Sequence, residues 1–164
     1  MKLKRILKIA LLIVSIALTG FLVALMYTVF YIENARFEYS MLIPLFMIPT
    51  GILSIGYHFK TIKFYSLKSK ATGFKDVVLW VGNTLFATSQ VLTALYLSYS
   101  LYLLYQTNQN TEVYIAYIVC LLMFIFGLCL FLETYHLYKR IIKTEEDLFK
   151  GSIDDITGID QNQD

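Results

Sequence analysis

VVLWVGNTLFATSQVLTALYLSYSLYLLY, residues 77–105, decides how the rest of the chain is read. At ~1.5 Å per helical residue it is long enough to cross the ~30 Å hydrocarbon core of a bilayer, and it carries no charge. It does carry two amides, Asn83 and Gln90. An amide without a partner in hydrocarbon costs several kcal/mol, so this polar stripe has to face protein. Asn83, Ala87, Gln90 and Ala94 fall on one helical face. The small alanines let another helix approach, so the face reads as a helix-packing seam or a subunit interface. A polar path lined by the same amides is the competing reading.

Outward from that segment the composition agrees. The 164 residues are 57% hydrophobic and 16% charged, against roughly 25% charged in a soluble domain. Upstream, Lys2, Lys4, Arg5 and Lys8 precede an apolar run, Ile9 to Ile32. A signal peptide starts the same way, but its apolar core is only ~7–15 residues and ends at a small-residue cleavage site. This run is longer and predicts a first membrane span. Gly20, Ala24 and Thr28 recur along it every four residues, a small-residue ladder suited to helix packing or a subunit interface.

A second apolar stretch, Met41 to Tyr57, contains Pro44 and Pro49, and Pro49 predicts a kink or local opening. In transporters such a break exposes carbonyls to an ion, whereas in most membrane proteins neighbours satisfy the freed groups. A basic connector over 58–76 follows, with Lys60, Lys63, Lys68, Lys70 and Lys75 among aromatic residues. Lipid headgroups or a protein partner suit these lysines better than nucleic acid does, since anionic lipid attracts each by ~1 kcal/mol.

Downstream of residues 77–105, the tyrosines 96, 99, 102 and 105 form an interfacial ladder, and a fourth apolar run covers 113–138. Glu133 is the one acid inside an apolar run. It predicts an ion pair with His136 or a connector lysine, with a proton or cation role as the sharper alternative. Cys120 and Cys129 read as apolar thiols, because nine residues along one helix set them apart. From Thr144 to Asp164 seven acids stand against Lys150. Thr144 suits the cap of a short helical turn, and the remainder is expected to be a flexible tail. Within it Ile153, Asp154, Asp155, Ile156, Ile159 and Asp160 form an Ile/Asp pattern that suits docking on a basic partner, or else an inert solvated tail.

Thirteen of the fourteen Lys and Arg residues lie at the N-terminus, in the connector, or after the fourth run, and Arg36 is the exception. The positive-inside rule then places both termini and the connector in the cytoplasm. The expected fold is an all-α integral membrane protein, a four-transmembrane-helix bundle (spans about 9–32, 41–58, 77–105 and 113–138, together residues 1–143) with an acidic tail, 144–164.

Titratable groups are few and scattered over different helices, which argues against an enzyme. No motif marks a catalytic, cofactor or metal site. The function classes left are a non-enzymatic membrane subunit that self-assembles and holds a soluble cytoplasmic partner, and a small channel or transporter. The short external turns and the two cytoplasmic ends, Met1–Lys8 and Thr144–Asp164, give an outline that resembles the tetraspan membrane subunit of the Kiwa-type bacterial phage-defence system. That resemblance implies a bacterial inner-membrane sensor in antiviral defence, with a soluble DNA-binding partner on the cytoplasmic side. Toxin-immunity membrane proteins share the outline.

Overall fold

A computed structural model of the chain describes residues 2–33, 36–65, 76–108 and 113–159. Among them, all regular structure is helical: α1 (Lys2–Tyr27), α2 (Leu42–Thr61), α3 (Val77–Asn108) and α4 (Val113–Ile159), with short helical turns at the ends of α1 and α2. These helices supply four segments long and apolar enough to cross a membrane, Lys4–Ile32, Leu42–Tyr65, Val77–Gln106 and Tyr114–Glu146. Branched and aromatic side chains cover their outer faces, as lipid contact requires.

Cross-contacts fix the topology. Thr19 lies against Gly51 of α2, Ser54 bonds Asn83 of α3, and Tyr105 of α3 stands beside Tyr114 of α4. Each helix therefore runs antiparallel to the next, and Lys8 early in α1 returns to Glu133 late in α4. The result is an up-down-up-down bundle. Its middle is closed by Leu11, Phe86, Ala87 and Leu130. Two glycines set how closely α3 is approached. A Cβ on Gly82 would collide with Leu53 of α2, and one on Gly127 would lie 3.0 Å from the Ala87 carbonyl oxygen.

Two local expectations are corrected. The tail does not leave the helix at Thr144: α4 is a single helix of 47 residues that reaches Ile159. Adding residues to a formed helix avoids the cost of nucleating a new one, and the Glu and Lys of this segment propagate it readily. Thr144 caps nothing, since its hydroxyl donates back to the Arg140 carbonyl at 2.8 Å inside the helix. Pro49 lies inside α2, which is one continuous helix from Leu42 to Thr61. Next to it the Thr50 hydroxyl donates to the carbonyls of Phe46 and Met47, at 3.0 and 3.2 Å. The exit from α1 carries a feature no sequence pattern announced. Thr28–Ile32 is a π turn, closed by the Glu33 amide on the Thr28 carbonyl.

Among the described residues, the Gly20 ladder packs against no other helix. Gly20 and Ala24 face outward, and nothing lies within 4 Å of the place a Gly20 Cβ would take. The inward face of α1 is instead the neighbouring stripe of Lys8, Leu11, Ser15 and Thr19.

Candidate functional site

At one end of the bundle, three segments deliver polar side chains to a common point. From α1 comes Lys8, whose side chain is fully buried, and from α4 comes Glu133, 6% exposed. Lys8 Nζ lies 2.7 Å from Glu133 Oε1. The hydroxyl of Tyr65, from the helical turn after α2, donates to the same oxygen at 2.8 Å. Lys8 Nζ also stands 4.4 Å from the centroid of the Tyr57 ring and 5.7 Å from that of Tyr65. The ammonium thus has a carboxylate on one side and aromatic faces on others, each able to replace part of its lost water. Glu133 Oε2 has no hydrogen-bond partner among the described residues.

An aromatic wall backs this pair. Trp80 lies 5.3 Å from Tyr57 and 5.9 Å from Tyr138, centroid to centroid. His58 meets the Tyr57 ring edge-on at 5.3 Å. His58 is fully buried, with neither ring nitrogen bonded among the described residues. Arg140 donates to the Phe64 carbonyl at 2.9 Å, which ties α4 to the turn that carries Tyr65.

One turn deeper, Asn83 joins three helices. Its Oδ1 accepts from Ser54 of α2 at 2.6 Å, and its Nδ2 donates to Thr134 of α4 at 2.7 Å. Thr134 follows Glu133 directly, so charge pair and amide bridge share one turn of α4. Ala87, Gln90 and Ala94 are buried along the same face of α3. Gln90 differs from Asn83 in that neither amide atom has a partner among the described residues.

Of the residues singled out from the sequence, Glu133 is joined among the described residues not to His136, Lys60 or Lys63 but to Lys8. Lys60 pairs instead with Asp76 at 2.6 Å on the exposed surface, and Lys63 lies 5.2 Å from the Phe64 ring centroid. Lys68, Lys70, Lys75 and Asp160 fall outside the described residues. Positions 153–156 and 159 belong to the last turns of α4. Both cysteines are free thiols. Among the described residues no three His, Cys, Asp or Glu side chains converge as a metal-ligand set would.

Sequence reasoning overlooked Lys8, Tyr57, Tyr65 and Thr134. The signal for Lys8 was its level, immediately before the apolar run of the first span, which an antiparallel bundle sets opposite the late part of the fourth. Comparisons of the chain with family models, with curated proteins and with solved structures give no match.

Proposed function

We propose that this chain is a non-enzymatic membrane subunit that holds or regulates a soluble partner at the end of the bundle carrying Lys8, Tyr65 and Arg140. That end is taken as cytoplasmic, at the bacterial inner membrane, on the positive-inside distribution of the lysines. The observation that carries the reading is the continuity of α4. A 47-residue helix is about 70 Å long at ~1.5 Å per residue, more than twice the ~30 Å hydrocarbon core. The acidic segment is therefore a stiff extension of a membrane helix. A partner docked on it is coupled mechanically to the bundle, and the Lys8–Glu133 pair fixes α4 where it leaves the span.

By helical period, positions 149, 153 and 156 fall on one stripe of that extension, and Phe149 is 69% exposed. An apolar stripe flanked by acids is a common form of helix-in-groove recognition. The outward ladder of Gly20, Ala24 and Thr28 gives the subunit a face for a second copy. A polar path along α3 has less support, because the Asn83 amide is engaged in bonds that hold helices together. Sensing at the membrane in phage defence is the setting this reading suits.

Truncation after Lys143 tests it. The shortened protein is expected to remain in membranes while a cytosolic partner recovered with the full chain is lost. Undiminished recovery of that partner would remove the docking role of α4.

A further inference from the structure

We propose that the groove between α1 and α4 beside the charge pair is a specific site for one anionic phospholipid. Each of these helices packs extensively on its sequence neighbour, whereas they touch one another sparsely. The gap they leave encloses about 620 Å³, within the ~300–1,000 Å³ usual for a small-molecule pocket. Its charge is one-sided. Lys4 and Lys8 line it from α1, and Lys139, Arg140 and Lys143 from α4, against Glu133 as the one acid in the lining.

Lys4 and Lys8 are one helical turn apart, and so are Lys139 and Lys143, so like charges repel along each helix and across the gap. Glu133 Oε1 is already committed to Lys8 and Tyr65. The cations at the rim have no such acid in the groove, and an anion between the two helices relieves them. Lipid is the source of that anion because, beyond the polar Tyr65 and His136, the lining turns apolar away from the lysines. Leu7 and Leu132, both in the groove, are 53% and 58% exposed, and Cys129 continues the wall away from the lysines. A phosphate at the lysines with an acyl chain along Leu7 and Leu132 matches that gradient from charge to hydrocarbon. The site is separate from the connector lysines and does not depend on the docking role of α4.

The experiment is native mass spectrometry of the full chain in detergent, titrated with phosphatidylglycerol or with phosphatidylcholine. One phosphatidylglycerol per chain is expected to survive activation, with phosphatidylcholine lost. The Lys4→Gln/Lys139→Gln/Lys143→Gln variant is expected to bind phosphatidylglycerol about a hundredfold more weakly. Leu132→Trp, which fills the wall and leaves every charge in place, should weaken it too, and Lys60→Gln/Lys63→Gln should not. Thermal unfolding checks that each variant is folded. Equal retention of the two lipids, equal loss in the Lys60/Lys63 variant, or a second copy of the chain in the groove in place of lipid would each overturn the site.

Discussion

Where Lys8, Tyr65 and Glu133 meet, the bundle is joined by directional bonds between charged or polar atoms. At its opposite end α3 and α4 face each other through Tyr105 and Tyr114, whose ring centroids are 6.4 Å apart, and the π turn that ends α1 buries none of its residues. Among the described residues the two ends are therefore joined by different kinds of contact. A hydrogen bond is satisfied in one geometry, while ring contacts tolerate sliding. In hydrocarbon, apolar contact barely distinguishes protein from lipid, so helix order must come from packing shape and polar bonds. On that contrast, register is expected to be set at the Lys8 end.

The strongest way to break this contrast is Glu133→Ala, which leaves the Lys8 ammonium buried without its acid. Loss of one partner of a buried pair costs about 3–5 kcal/mol, and thermal unfolding in detergent should show the largest drop of any substitution named. Lys8→Met with Glu133→Leu should recover most of it, as apolar replacement of a buried pair is commonly near neutral. Next comes helix approach. Gly82→Ala in the Lys8 half drives a methyl into Leu53, an overpacking cost of about 1–3 kcal/mol. Tyr105→Leu, which removes one exposed ring contact, should cost about 0.5–1 kcal/mol by the same assay. The smallest change is expected from Gly20→Ala, in open space, within about 0.5 kcal/mol. A Tyr105 effect as large as that of Glu133 would show that both ends set the register.

Much of the architecture was legible because long apolar runs leave few choices. The runs around 77–105 and 113–138 are helices, and uncharged apolar stretches of that length suit a helix rather than the shorter strands of a closed barrel. Asn83 could be assigned to an interface on the same ground, but its partners Ser54 and Thr134 could not, because small hydroxyls also bond their own helix and give no periodic signal. The Lys8–Glu133 pair lay hidden for another reason. Lys8 is continuous with a run of flanking lysines, and only three-dimensional depth separates it from Lys4. The helical course of 144–159 was missed because acidic composition suggests a solvated coil, while the segment in fact extends a helix already nucleated inside the bundle.

The sequence separation of Lys8 and Glu133, 125 residues, has a consequence for biogenesis. Lys8 is made with the first helix and its carboxylate with the fourth. At roughly 5–20 residues per second of synthesis, the ammonium waits about 6–25 s for its acid. The pair therefore closes only when all four helices have been made, and a chain stalled before α4 keeps a cation without its acid.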